Sequence, residues 1–369
     1  SGKPIIPLYI LDDVNSDEWK MGGASRWWLH QSLSALNKSL NGALVFEVGD
    51  PSTILSDIID KTGADTIYWN RCYEPWRIQR DTAIKQNLNN QALEVKSFNG
   101  ALLFEPHTVL KKDGTAYRVF TPFYKKGCLG RGGETRMPTA RPEHLHLQRH
   151  KRLSLDKLNL IPDIAWYTGM QKEWQPGEAG AQTCLQVFLE NGLKGYKDGR
   201  NFPVRQNVSR LSPYLHFGEV SPNDVWCNAK MTMIMEKCEE DGEHFLRELG
   251  WREFSNTLLY HFPDIPRENL QAKFDAFPWR KDQKALRAWQ RGQTGYPIVD
   301  AGMRELWKTG YMHNRVRMIV GSFLVKNLLL HWHHGEHWFW DTLIDADLAN
   351  NAASWQWIAG CGADAAPYF

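Results

Sequence analysis

The sequence lacks most of the features that would place it at a glance. No apolar run in its 369 residues approaches the length that spans a bilayer. The opening Ser1-Gly2-Lys3-Pro4 carries neither an initiator Met nor a signal peptide. A soluble protein with no membrane partner is expected. The six cysteines (Cys72, Cys128, Cys184, Cys227, Cys238, Cys361) form no CxxC pair, so neither a zinc site nor a disulfide framework is indicated. A reducing cytoplasm is the simplest home. Charge of one sign is also missing. With 44 Lys+Arg against 42 Asp+Glu the net charge is +2, so any nucleic-acid contact must come from a local patch. No GxGxxG or GxxxxGK(S/T) string is present, which argues against ordinary dinucleotide or P-loop phosphate binding. There is no internal repeat and no low-complexity tract.

What is present is length enough for two domains and 17 tryptophans crowded toward the second half. Large aromatics filling a helical core account for most of them. The first third alternates short apolar runs with amphipathic ones. Residues 5–11, 43–48, 66–69 and 93–98 read as strands. Ser25 opens a helix to about Leu40, Pro51 sits in the first turn of a second that Gly63 ends, and Pro75 starts a third. The β-α-β order predicts one parallel sheet. From 126 to 180 the chain is rich in Gly, Pro, Arg and His, including Gly130-Arg131-Gly132-Gly133. Beyond about Gln182 the pattern is helical, broken at 199–203, 262–266, 292–297 and Gly335. The reading is therefore an α/β, Rossmann-like domain (1–125), a linker (126–180) and an all-α domain (181–369). Both ends look cut, the second at Ala366-Pro367-Tyr368-Phe369.

Four strings carry chemistry. In Asn207-Val208-Ser209-Arg210-Leu211-Ser212-Pro213 the hydroxyls and the arginine precede a helix and suit an anion there, although a plain serine cap explains the same string. In Glu248-Leu249-Gly250-Trp251-Arg252 the glutamate and the tryptophan share a helix face, a carboxylate beside an aromatic plate. A structural Trp with a solvated Glu is the bland counterpart. In Met312-His313-Asn314-Arg315-Val316-Arg317-Met318, His313 pairs with Arg317 and Asn314 with Met318 at i, i+4. In Asp345-Ala346-Asp347-Leu348-Ala349-Asn350-Asn351, followed by Trp355 and Trp357, a helix places Asp347, Asn351 and Trp355 on one face. Asp345 is then free to accept from Arg317. A metal site lacks further ligands at suitable spacing. His333 and His337 have zinc-like i, i+4 spacing, but Gly335 is expected to break that helix.

In this order and spacing the strings resemble the DNA photolyase and cryptochrome family. The resemblance extends to Asn70-Arg71-Cys72-Tyr73-Glu74-Pro75-Trp76 and Val119-Phe120-Thr121-Pro122-Phe123, and its most specific parts are TGYPIVDAGMR, MHNRVRM and DLANNAASWQW. It implies a bent FAD in the helical domain. Tyr196, Val208, Ser209, Arg210, Leu211, Ser212 and Phe245 would lie along its phosphates and ribityl chain, with Arg317, Asp345, Ala346, Asp347 and Asn351 around the ring. It implies that Arg200, Glu248, Trp251, Arg252, Asn314, Arg315, Met318 and Trp357 meet damaged double-stranded DNA, Arg200 and Arg315 holding phosphates. Trp355, Trp332 and Trp279 would carry electrons to the flavin, Trp332 lying two heptads after Met318 on one helical run.

By the same resemblance the activity is light-driven splitting of cyclobutane pyrimidine dimers by a monomer. The excited reduced flavin lends an electron that returns when the ring opens, and Asn351 and Glu248 sit at the reacting groups. The (6-4) photolyases place histidines where Asn314 and Met318 stand, and single-strand-preferring relatives carry Gln at Met318 and Tyr at Trp357. A cryptochrome-like photoreceptor without repair activity is the alternative. Plant cryptochromes usually have Asp in place of Asn351, so Asn351 with Glu248, Met318 and Trp357 favours the enzyme. A second, antenna chromophore such as a folate or deazaflavin is common among relatives, but Thr115 replaces the Glu that folate-binding relatives use.

Overall fold

The computed structural model describes residues 2–91, 93–131, 135–150 and 153–365. Gly132 and Gly133 of the glycine-rich string, and 366–369 at the end, lie outside the described residues. The first third runs β1 (Leu8–Leu11), α1 (Gly23–Ser39), β2 (Val45–Val48), α2 (Pro51–Thr62), β3 (Thr66–Asn70), α3 (Pro75–Asn90) and β4 (Glu94–Phe98). Local chemistry fixes these ends. Asp50 accepts from the Thr53 N–H at the start of α2, Pro51 occupies its first turn, and Gly63 closes it at φ +66°. Helix α1 begins two residues before Ser25, capped by Gly22, because the chain there lies against the late helix over Trp332–Thr342: a Cβ on Gly22 would sit 2.3 Å from the Trp340 carbonyl oxygen.

The single sheet expected from the sequence is instead two parallel pairs, β1 with β2 and β3 with β4. Among the described residues, side chains flanking the strands rather than a backbone ladder link them. Lys3 meets Asp65 at 2.7 Å, and Arg80 reaches Asp12 at 2.9 Å. The strand expected over 5–11 is shorter for a related reason. Ile5 pairs with the linker, donating to the His146 carbonyl and accepting from Gln148.

Into and through the linker run α4 (Phe120–Pro122), a π-helical turn over Phe123–Cys128 and α5 (Thr168–Glu173). Helices then follow closely: α6 (Glu178–Asn191), α7 (Tyr196–Gly199), α8 (Ser212–His216), α9 (Pro222–Met235), α10 (Glu239–His261), α11 (Gln283–Gln290), α12 (Pro297–Thr309), α13 (Asn314–Ser322), α14 (Trp332–Thr342) and α15 (Leu348–Ala359). Helix α10 is the central pillar, packed on α7, α9 and α15. Six tryptophans (Trp27, Trp28, Trp226, Trp289, Trp332, Trp355) are fully buried, so core packing does explain much of the tryptophan count.

Two expectations about the last helices are corrected. Gly335 does not break α14. It lets the Trp355 indole lie flat on the helix, since a Cβ there would sit 2.1 Å from the ring. Nor do Met318 and Trp332 share one helical run. After α13 a π-helical turn, Phe323–Asn327, leads to Leu329 at φ +55°, and the chain restarts at a His331 cap.

Hydrogen bonds join the first third to the helices. The Glu219 carboxylate accepts from the Trp28 indole (3.1 Å) and the Gly177 N–H (2.7 Å). Asp341 accepts from Gly23, and Ser25 donates to the Leu343 carbonyl. Among the described residues no helix is long and apolar enough to cross a membrane.

Candidate functional site

A cavity of about 570 Å³ opens between α8, α10, α13 and α15, within the range of small-molecule and cofactor pockets. One wall comes from the start of α8. Arg210 takes a left-handed conformation (φ +53°), which sends its side chain outward to Glu173 and over the Trp174 ring at 4.2 Å. The flanking Ser209 and Ser212 line the cavity. Ser212 donates to Asp345 (2.6 Å), and Arg317 grips the same carboxylate through two nitrogens at 3.1 and 2.8 Å. Burial alone would lower the Arg317 guanidinium, but the facing Asp345 charge outweighs it and its pKa is raised.

Asp347 does not sit on the α15 face. It caps the helix, accepting from the Asn350 N–H at 2.8 Å. Burial would raise its pKa, but His216, 3.8 Å away, and that cap bond hold it below the ordinary carboxylate value. Asn351 is oriented without ambiguity. Its Nδ2 donates to the Glu336 carbonyl (3.0 Å), which only accepts, so Oδ1 is left as a free acceptor at the cavity wall.

The other wall belongs to α10 and α13. Arg200 is turned inward and ion-paired with Glu248, its side chain 11% exposed, rather than standing free for a phosphate. Arg315 donates to Asn201 (2.8 Å) and contacts the Met318 sulfur (3.2 Å). His313 caps α13 through Nδ1. Burial first, then Arg315, Arg200 and Arg317, depress its pKa.

The cavity thus gathers Tyr196, Arg200, Ser209, Ser212, Phe245, Glu248, Trp251, Arg252, Asn314, Arg315, Arg317, Met318, Asp345, Ala346, Asp347, Asn351, Trp355 and Trp357. Val208, Arg210 and Leu211 do not line it, and Leu211 is buried in the core. Trp332 and Trp279 stand outside as well. Trp332 is fully buried, and His331 lies between the two, its ring 5.7 Å from Trp332 and 5.2 Å from Trp279. Sequence reasoning missed His216 and Phe339, both lining residues. His216 was within reach, because it follows Ser212 by four residues on the same helix face. Among the described residues no three His, Cys, Asp or Glu side chains group as metal ligands.

An enclosure with aromatic walls, a buried Arg–Asp–Ser chain and one free amide acceptor suits a large flat heterocycle. The matching family models agree in kind. Residues 1–143 match the model described as DNA photolyase, and residues 245–369 match the FAD binding domain of DNA photolyase. A deoxyribodipyrimidine photo-lyase from Agrobacterium fabrum is 48% identical over the whole of this chain and 77% of its own length. The chain belongs to the DNA photolyase family.

Other members of the family lie near it too. Cryptochrome-2 of Arabidopsis thaliana is 38% identical, over 96% of this chain and 61% of its own length. The crystal structure of a bacterial class III photolyase from Agrobacterium tumefaciens superposes with a TM-score of 0.94 at 47% identity, covering all of this chain and 76% of that one. The α/β-then-helical architecture expected from the sequence is the architecture of this family, with the FAD-binding domain at the helical end.

Proposed function

We propose that this protein is a deoxyribodipyrimidine photo-lyase that uses blue light to split cyclobutane pyrimidine dimers in double-stranded DNA. One observation carries the reading: a single cavity holds both the polar set that suits a flavin and the aromatic set that suits an extruded dimer. A dimer disrupts stacking and so lowers the cost of flipping, and photolyases are among the enzymes that take their target base out of the helix. Reduced FAD, when bound and excited by light, supplies one electron to the dimer and regains it after the ring opens.

The protein's own residues do the holding. Arg317 and Ser212 hold Asp345, which would face the ring of a bound FAD. The Asn351 amide, committed through Nδ2 to Glu336, offers Oδ1 to a ring N–H. Trp251 and Trp357 give the dimer an apolar wall and exclude water. Glu248, steadied by Arg200, presents a carboxylate to the N–H groups of a pyrimidine. Asn314, Arg315, Met318 and Arg252 border the same space. Trp355, Trp332 and Trp279 would form the route by which electrons reach a bound flavin. Residues 1–125, 126–180 and 181–369 serve as antenna domain, linker and flavin domain, and a second chromophore is part of the proposal. Thr115, in an exposed turn with Asp113, stands where folate-binding relatives use Glu, which speaks against a folate.

The test is direct. Protein loaded with FAD and chemically reduced is mixed with duplex DNA bearing one dimer, and restored pyrimidines are counted in blue light and in darkness. Light-dependent restoration is expected. Binding of FAD without any restoration would leave the chain a photoreceptor of the cryptochrome kind.

A further inference from the structure

Behind the Trp251 indole stand three rings, of which Phe254 lines the cavity while Phe120 and Tyr124 do not. Phe120, from α4 at the entry to the linker, is fully buried and absent from the cavity wall. Its ring stacks on Trp251 with centroids 3.8 Å apart and planes 9° apart. Tyr124 stacks on Phe120 in turn, at 5.6 Å and 15°. Phe254 closes the edge, standing nearly perpendicular to both Phe120 (5.9 Å, 68°) and Trp251 (5.8 Å, 73°). The backbone makes room for this stack at Gly250, where a Cβ would lie 2.6 Å from the Tyr124 ring. Phe120 is itself anchored, its N–H donating to Asp364 at 3.2 Å.

We infer that Phe120 is a positioning residue for lesion recognition. It fixes the plane of the Trp251 indole, so that the face left free stands as a flat wall ready for an extruded pyrimidine dimer. The inference rests on the proposed repair function and on Trp251 as the pocket wall. An indole with no partner behind it is free to turn about its side-chain torsions, and ordering it then becomes a cost of binding. A parallel-stacked partner removes that freedom beforehand. Undamaged duplex, whose bases stay stacked, does not use the wall, so Phe120 acts on preference for the lesion rather than on DNA affinity in general.

The experiment compares Phe120→Leu, Phe120→Tyr and Trp251→Ala as FAD-loaded proteins. It measures the dissociation constants for duplex with one dimer and for the same duplex undamaged. Phe120→Leu, which fills space but has no plane, is expected to weaken lesion binding roughly three- to tenfold, in line with the worth of an aromatic pair. Undamaged binding should change less than about twofold. Phe120→Tyr restores the plane and should keep the preference of the parent protein. Equal loss on both duplexes in Phe120→Leu, or lesion preference unchanged while Trp251→Ala abolishes it, overturns the inference. If Phe120→Leu does not retain FAD, Phe120→Tyr decides, since loss of preference with a ring still in place has the same force. A Trp251→Ala protein that keeps full preference shows instead that the pocket wall itself was misassigned.

Discussion

Arg317 and Asp345 are the residues on which the cavity's polar end depends. The Asp345 side chain is 3% exposed and, among the described residues, has only Arg317 and Ser212 to satisfy it. Removing one member of a buried pair leaves the other charge uncompensated, at about 3–5 kcal/mol. Arg317→Met should therefore lower stability by about that much in denaturant titration and reduce FAD content; wild-type stability would show that Asp345 finds water or another partner. Glu336 poses the opposite case. It is fully buried, neither carboxylate oxygen has a partner among the described residues, and burial followed by the nearby Glu18 charge pushes its pKa well above 4.5. A folded-state pKa above the unfolded one means that proton binding favours the fold. The contribution is complete below about pH 4.5 and fades as pH rises toward the folded-state value. Glu336→Gln keeps the neutral shape, so its melting point relative to the parent should rise between pH 5 and pH 8. A gap independent of pH would mean that the carboxyl has a partner in solution.

Among the elements, α14 and α15 meet at a close fit. Gly335→Ala puts a methyl group into the space of the Trp355 ring, and overpacking of this kind costs about 1–3 kcal/mol. It should also reduce FAD content, because Trp355 lines the cavity; a variant with parental stability and flavin content would place the slack elsewhere in the helix. Trp332→Phe should slow photoreduction of oxidised flavin yet leave repair by chemically reduced protein largely intact. Unchanged photoreduction would remove the Trp332 route. These two helices also show where sequence reasoning reached and where it stopped. Helix α2 was legible because Pro51 and Gly63 act locally, through a fixed φ and a left-handed cap. Gly335 has the same intrinsic preference, but its outcome was set by an indole from twenty residues later in the sequence, which propensity does not encode. Asp345, Asp347 and Asn351 were found as a string, whereas the Arg200–Glu248 pairing needed α7 and α10 placed side by side. The division of the sheet into two pairs was likewise invisible, since β-α-β order gives direction and not adjacency.

At the scale of the molecule, buried contacts cross the sequence division at 125 and 180. Glu219 binds Trp28 and Gly177 together, and the buried Glu253 on α10 accepts from the Phe104 N–H at 3.0 Å. Heating should give one calorimetric transition for both halves, and two separated transitions would show that these contacts are weak. The contacts of α1 with α14 have a further consequence, in time. Gly23 and Ser25 bond to Asp341 and Leu343, and Trp19 meets the Trp340 ring at 5.7 Å. At roughly 5–20 residues per second of synthesis, the ribosome needs some tens of seconds after making the first partners to deliver the second. For that interval the start of α1 lacks its α14 partners, and a nascent chain already rich in tryptophan must be kept from its neighbours until its own late helices arrive.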